Sequence, residues 1–190
     1  MASTLKPADL IEHYYRYHPL AHAILVQHSR LVTRKALTIA RALKQRGMDP
    51  DLQFIGEAAM LHDIGMIFTN APEIGCHGEA HYLQHGIIGA ERLAETGLTA
   101  HARVCERHTG VGLTATEIIR DGLPLPARDL QPETLEEKII CYADLFFSKN
   151  PAKLHQQKSL NNIRRQLANY GPDKVGIFEL WHQDFEPGHL

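Results

Sequence analysis

Apolar side chains recur at helical spacing along most of the chain. Over residues 20–46, Ile24, Leu31, Ile39 and Leu43 follow one another at intervals of seven, eight and four residues, which places them on one face of a helix. The same pattern predicts further helices over residues 7–17, 52–64, 85–96, 99–108, 114–120, 133–148, 156–170 and 173–181. No segment shows a convincing strand alternation. The sequence therefore predicts an all-α fold.

The length of the chain and its loops favour one domain. Its 190 residues can fill one hydrophobic core, and no internal repeat, low-complexity segment or linker divides them. The stretches richest in Gly, Pro and polar residues, 69–78 and 121–132, read as loops within the domain. We expect a single domain over residues 1–190, with its motifs at about 20–150 and C-terminal helices at 151–190 packed on that core.

Charge and composition narrow the classes of function. The 20 Lys and Arg residues nearly balance 22 Asp and Glu residues, and a net charge of -2 argues against a general binder of nucleic acids or membrane surfaces. The first residues lack the apolar core of a signal peptide, and no apolar run could span a bilayer, so we expect a cytoplasmic protein. Three widely spaced cysteines argue against a disulfide framework, whereas 13 histidines point weakly to metal binding.

The stretch AAMLHDIGM, residues 58–66, raises a chemical question. Its apolar residues are typical of a buried helix, yet His62 and Asp63 lie in its middle. Burying an imidazole beside a carboxylate costs free energy unless each group finds a partner. The sequence therefore predicts that another part of the chain, or a ligand, compensates this pair.

Other polar residues occupy similar positions in the predicted helices. His28 and Asp144 each lie on an apolar face, the latter in EEKIICYADLFFSK. His85 opens HGIIGAERL, where Gly86 and Gly89 would let another backbone approach closely, and His108 ends VCERHTG. Taken singly, the histidines are explained as core or helix-end residues and the aspartate as the partner of a basic side chain.

Taken together, these residues indicate a metal site. Four histidines and two aspartates come from separated helical segments, and a helical bundle can bring such side chains together in its core. Imidazole and carboxylate donors without a thiolate suit iron or manganese and also admit zinc, cobalt, nickel or magnesium. A divalent cation would compensate the charge of Asp63 and accept the lone pair of His62.

The order of these residues resembles the HD-domain superfamily of metal-dependent phosphohydrolases. Its signature is a histidine, an adjacent His-Asp pair and a distant aspartate, which here would be His28, His62 with Asp63, and Asp144. The segments HSRLVTRKALTIA, AAMLHDIG and EKIICYADLF look like its metal-binding helices, and the similarity covers about residues 27–149. The resemblance implies an HD-domain helical bundle with a metal site in its core and His62 and Asp63 as catalytic residues.

Two more segments, HGIIGAERL and ERHTGVGL, resemble the bacterial HD phosphatases that split symmetrical diadenosine tetraphosphate. That resemblance implies two divalent ions. The first would be held by His28, His62, Asp63 and Asp144. The second would be held by His85 and His108, with Asp63 bridging the two ions.

The chain also departs from some relatives. Met66 follows HDIG where many two-metal members have a lysine nearby, so the group that protonates the leaving group is not assigned. The GYP motif of the cyclic-dinucleotide branch is absent from the sequence, which makes cyclic-di-GMP a poor substrate.

The expected reaction is hydrolysis of a phosphate ester or anhydride of a nucleotide or related small metabolite. Bound metal ions lower the pKa of water and polarise a phosphoryl group, so no serine or cysteine nucleophile is needed. Four side chains border the ligand segments and are candidates for binding substrate phosphates: Arg107, Thr109, Arg128 and Lys149. Each is equally well explained as a solvated surface residue.

Two alternatives stay open. A mononuclear enzyme, like the HD 5'-nucleotidases, would bind one ion only, and its His85 and His108 would contact the substrate. A non-catalytic domain would bind a nucleotide and signal through a partner. In each case we expect no membrane or nucleic-acid partner, and the final helices, with Phe178 and Trp181, either pack on the core or serve a homodimer.

Overall fold

The computed structural model describes residues 6–186, and helices dominate it. The α-helices of this part of the chain are α1 Pro7–Tyr15, α2 Pro19–Gln45, α3 Leu52–Leu61, α4 His85–Glu95, α5 Thr99–Arg107, α6 Ala115–Arg120, α7 Leu135–Asp144, α8 Leu160–Ala168 and α9 Pro172–Phe185. The all-α prediction is confirmed. The single-domain assignment over residues 1–190 stays a prediction, and residues 1–5 and 187–190 lie outside the described part.

One hydrophobic cluster joins the second half of α2 to α3, α7 and the C-terminal helices. Val32 and Ala36 pack there with Tyr142, and α9 contributes Phe178 and Trp181, which are 0% and 8% exposed. Within the described residues, α8 and α9 therefore contribute to this hydrophobic cluster. A homodimer stays a prediction.

A second hydrophobic cluster joins α1 and the first half of α2 to the segment after α3 and to α4 and α5. It includes Tyr15, Leu25 and Leu61. Along α2, His28 lies between Leu25 of this cluster and Val32 of the other. The polar residues of interest thus lie where the two clusters meet.

Helix α3 ends at Leu61 and not at residue 64 as predicted. A 3-10 helix, Ile64–Phe68, follows after His62 and Asp63. The hydroxyl of Tyr15 accepts a hydrogen bond from the Ile67 N–H at 3.1 Å and donates one to the Ile64 carbonyl at 2.9 Å. These bonds join the 3-10 helix to α1 and so hold in place the turn that follows His62 and Asp63.

Two other predicted helices are too long. Helix α7 ends at Asp144, four residues before the prediction, because Phe147 N–H donates to the Asp144 carbonyl three residues back. Helix α8 begins at Leu160 and not at residue 156, because the Ser159 side chain caps it by accepting from the Asn162 N–H.

A pair of very short strands was not predicted. Asn70–Ala71 and Cys76–His77 pair antiparallel, with Ala71 opposite Cys76. Gly75, at φ 77°, turns the chain between them. Strands of two residues are too short to show alternation, so the sequence pattern could not reveal them.

Within residues 6–186, no helix combines the length and the apolarity that crossing a lipid bilayer requires. The cytoplasmic location predicted from the sequence stays a prediction.

Candidate metal centre

Four of the predicted ligands form a first group at the junction of the two hydrophobic clusters. One donor atom from each of His28, His62, Asp63 and Asp144 lies within 4.8 Å of the others. His28 Nε2 lies 3.2 Å from Asp63 Oδ2 and 2.9 Å from Asp144 Oδ1. His62 Nε2 lies 3.0 Å and 3.5 Å from the same two oxygens. Two imidazoles and two carboxylates thus face one small volume.

The other two predicted ligands form a second group with Asp63. His85 Nε2 and His108 Nε2 lie 3.1 Å and 3.3 Å from Asp63 Oδ1, and 3.0 Å from each other. The two carboxylate oxygens of Asp63 therefore face different sets of donors. A carboxylate in this position can bridge two cations.

Backbone carbonyls orient three of the four imidazoles. Each of these three rings donates its Nδ1–H to the backbone carbonyl three residues earlier, at 2.7 Å. The pairs are His62 with Ala59, His85 with Tyr82, and His108 with Cys105. A ring that donates from Nδ1 keeps its lone pair on Nε2, the atom that faces the cluster. Such bonds are typical of histidines that bind metals.

The donor atoms fit a cation better than they fit one another. Within the described part of the chain, the buried Nε2 atoms of His28 and His62, both oxygens of Asp63 and Oδ1 of Asp144 make no well-formed hydrogen bond. Burying such groups without partners is costly, and ions or metals are the usual compensation. The cluster of imidazole nitrogens and carboxylate oxygens can hold divalent metal.

The electrostatics of the cluster are dominated by burial and by Asp63. Burial would raise the pKa of Asp63, but His62 and Lys149 hold that pKa well below its ordinary value. Burial would lower the pKa of His62, but Asp63 and Asp144 raise it to about 10. Burial lowers the pKa of His108 to about 4, which leaves its ring neutral and its lone pair free at neutral pH. A divalent cation held here would replace the proton of His62.

Glycines let the segments that carry these residues approach closely, as expected for Gly86 and Gly89. A Cβ atom on Gly86 would lie 2.6 Å from the Cys105 carbonyl oxygen, so α4 and α5 contact through their backbones. The Cys105 thiol in turn donates to the His62 carbonyl at 3.0 Å. Cys105 is thus a buried structural residue, and all three cysteines of the chain are free and buried.

Lys149 is a member of the cluster that sequence reasoning placed only at the rim. Its Nζ lies 2.9 Å from Asp63 Oδ2, and its side chain is 16% exposed. The lysine follows Asp144 by five residues, beyond the end of α7, so helical spacing could not indicate this contact. It also lines a cavity of about 630 Å³ together with Asp144, Lys158 and Tyr82. Its predicted role in binding substrate phosphates remains a prediction.

The other candidates for substrate binding have different surroundings. Arg107 contacts Glu106 at 3.2 Å and Glu133 at 2.7 Å, and Arg128 contacts Glu106 at 2.7 Å. Both arginines are therefore already paired with carboxylates. Thr109, directly after His108, lines a second cavity. For all three, substrate binding stays a prediction.

Comparison with known proteins places this site in a family. The HD domain model matches residues 25–147, which include all six predicted ligands. An uncharacterised protein of Methanocaldococcus jannaschii is 38% identical over 121 residues, which are 63% of this chain and 64% of that protein. Proteins named tRNA (cytidine(56)-2'-O)-methyltransferase match at 34% identity in Picrophilus torridus and 28% in Thermoplasma volcanium.

These matches cover only part of the relatives' length. The two methyltransferase-named proteins match 65% and 75% of this chain but only 31% and 37% of their own length. The chain therefore spans less than two thirds of the curated relatives it matches. No solved structure matches the chain. HD domains bind divalent metals, and the described His and Asp cluster is suited to hold them. On the extent of the family match and the residues it contains, the chain belongs to the HD domain family.

Proposed function

We propose that this chain is a metal-dependent phosphohydrolase that uses two divalent ions to hydrolyse a phosphate ester or anhydride of a nucleotide or related small metabolite. The observation that carries the proposal is the position of Asp63. Its Oδ2 faces His28 and His62, while its Oδ1 faces His85 and His108. One carboxylate with donors on both sides is the arrangement that a two-metal site needs.

The ligands divide between two ions according to these distances. One ion would be held by His28, His62, Asp63 and Asp144, and the other by Asp63, His85 and His108. Iron or manganese suits these donors. When bound, two such ions supply Lewis acidity that acidifies water and polarises a phosphoryl group.

The protein's own side chains position the metals and the substrate. Carbonyl bonds fix the rings of His62, His85 and His108, so the donors are preorganised before an ion arrives. The ammonium of Lys149 lies in the cavity beside Asp144, and Lys158 lines the same cavity. These two cations are placed to bind phosphate oxygens, as proposed also for Arg107, Thr109 and Arg128. Met66 is 0% exposed and apolar, and it offers no proton to a leaving group.

The names of two relatives suggest a different chemistry, methyl transfer to tRNA. The match to them covers about a third of their length, and the printed activity belongs to those whole proteins. In this chain the matched region holds a cluster of imidazoles and carboxylates, which supports hydrolysis and gives no support to methyl transfer.

Elemental analysis of the untagged protein, purified without oxygen, tests the proposal. We expect about two equivalents of metal per chain in the wild type, one in His108→Ala, and two in the control His101→Ala, which removes a buried histidine of α5 that lies outside the cluster. His85→Ala should reproduce the loss. Unchanged metal content in both cluster variants would favour the mononuclear alternative. Two ions bound, with no turnover across a broad panel of phosphate esters and anhydrides, would favour the non-catalytic domain.

A further inference from the structure

A cavity of about 770 Å³ adjoins the smaller cavity that Asp144 lines. It shares four lining residues, Tyr82, Gly110, Leu145 and Tyr170, with the cavity of about 630 Å³ that contains Asp144 and Lys149. Its wall also includes Thr109, which follows His108 in the chain. A molecule that lies across both cavities would therefore have one end beside the cluster and the other in the larger cavity.

The wall of the larger cavity is mainly apolar. Seven aliphatic side chains contribute to it: Leu83, Val111, Leu113, Leu123, Leu145, Ile163 and Leu167. Cavities of this size and lining are typical of sites for small organic ligands, because they remove apolar groups from water. This wall contrasts with the smaller cavity, which is lined by four charged side chains, Glu73, Asp144, Lys149 and Lys158.

The charged residues of the larger cavity are paired with one another. Lys174 Nζ lies 2.6 Å from Glu117 Oε1 and donates to the Gly112 carbonyl at 2.9 Å. Arg120 Nε lies 2.7 Å from Asp121 Oδ1. These four are the charged lining residues of the cavity, so it presents no unmatched cation to a phosphate group.

Two tyrosines line the boundary between the cavities. The ring of Tyr82 stacks on His85 with a centroid distance of 4.9 Å and an interplanar angle of 25°. Tyr170 is 72% exposed. Tyrosine rings contact flat apolar groups favourably, since stacking adds to the burial of area.

We propose that the larger cavity binds an uncharged, apolar or aromatic ring of the substrate, while the phosphate lies at the metal cluster. The proposal rests on the proposed function and narrows it. The preferred substrates are phosphate monoesters of ring-bearing alcohols, and phosphates of small polyols are poor substrates because they leave the apolar wall in contact with water.

Leu123 offers the sharpest test. It lines the cavity and is half-buried, whereas Leu125, two residues later in the same loop, is half-buried outside the lining. Neither residue belongs to the hydrophobic clusters described above, so we expect aspartate at either position to leave those clusters intact. We would compare Leu123→Asp, Leu125→Asp and the wild type, each loaded with metal.

The first measurement is binding of 1-naphthol, which carries the ring but no phosphate, by fluorescence and by amide chemical shifts. We expect saturable binding to the wild type and to Leu125→Asp, and at least about tenfold weaker binding to Leu123→Asp. The second is hydrolysis of 1-naphthyl phosphate and glycerol 3-phosphate. Leu123→Asp should raise the KM for the naphthyl ester several-fold more than the KM for glycerol 3-phosphate, whereas Leu125→Asp should leave both unchanged.

Three outcomes separate this proposal from the proposed function. Absence of naphthol binding, or equal effects of the two aspartate variants, would overturn the ring site even if phosphate esters are hydrolysed. Naphthol binding that Leu123→Asp weakens supports the ring site, even if no ester is hydrolysed. In that last case the proposed hydrolase function is overturned and the ring site is kept.

Discussion

A Cβ atom on Gly65 would lie 2.8 Å from the Cα atom of Gly89, and it would overlap the Gly89 amide nitrogen. The turn after Asp63 therefore crosses helix α4 with no side chain between the two backbones. This crossing brings Asp63 within 3.1 Å of His85, which opens the same helix. The geometry of the cluster depends on a contact that only glycine permits.

Alanine at either glycine should separate the two halves of the cluster. We expect Gly65→Ala and Gly89→Ala to lower the free energy of unfolding by about 3 kcal/mol, since overpacking forces the backbone to move. Urea denaturation measures the loss, and metal analysis should show weakened binding.

Gly56→Ala is the matched control for these variants. Gly56 lies inside α3, and a Cβ there would meet only Leu37 Cδ1, at 4.0 Å. Alanine is the better helix former, so this variant should gain about 0.5–1 kcal/mol. A loss at Gly56 equal to that at Gly65 would contradict the steric explanation.

Tyr15→Phe should loosen the turn that carries Asp63. The change removes the hydroxyl that bridges the Ile64 carbonyl and the Ile67 N–H, and it leaves these buried groups without that partner. We expect a cost of about 1–2 kcal/mol and weaker metal binding. Isothermal titration of the metal-free protein measures the affinity. Tyr14→Phe, on the same helix, should leave the metal affinity unchanged. Equal affinity in the wild type, Tyr15→Phe and Tyr14→Phe would show that the Tyr15 hydroxyl does not position Asp63.

Lys149→Met should affect metal and substrate in opposite directions. Removing a positive charge 2.9 Å from Asp63 should increase affinity for divalent cations by about tenfold or more. The same change should raise the KM for phosphate esters, because a cation is lost from the cavity. Lys153→Met, an exposed residue of the same loop, serves as the control. Weaker metal binding in Lys149→Met would mean that Lys149 supports the ligands and does not compete with the metal.

The ion pair of Glu117 and Lys174 predicts a dependence of stability on pH. Burial would raise the pKa of Glu117, but Lys174 and Thr114 hold it below its ordinary value. The stabilisation is therefore present above the unfolded pKa, about 4.3 for Glu, and is lost as pH falls through the lower folded pKa.

Lys174→Met tests this dependence by urea denaturation at two pH values. We expect a loss of about 3 kcal/mol at pH 7, because the carboxylate stays charged without its cation. At pH 3 the difference from the wild type should shrink as Glu117 takes up a proton. Lys44→Met, which breaks an exposed pair with Asp49, should cost less than about 0.5 kcal/mol at either pH. A loss in Lys174→Met that does not depend on pH would point to packing alone.

Helical spacing was sufficient to identify some members of the cluster but not their contacts. His28 and Asp144 were recognised because each interrupts an apolar face, and the structure brings them within 2.9 Å of each other. The roles of His85 and His108 came from resemblance, since a histidine at a helix end carries little information alone. Gly86 and Gly89 were correctly expected at a close approach of backbones.

Contacts between distant segments left no periodic signal in the sequence. The bonds of Tyr15 to Ile64 and Ile67 join segments about fifty residues apart, and nothing in either segment identifies the partner. Lys149 lies beyond the end of α7, where helical periodicity no longer applies. The pairing of Arg107 with Glu133 likewise depends on how α5 meets the start of α7.

The separation of the ligands along the chain has a consequence for folding. His28 and Asp144 are 116 residues apart in sequence, so a large loop must close before one donor set exists. A partly folded chain that lacks α7 can present Asp63, His85 and His108 but not the complete group of His28, His62, Asp63 and Asp144. A cation held by that four-residue group would therefore bind only after α7 has packed, and it would shift the folding equilibrium toward the native state by mass action.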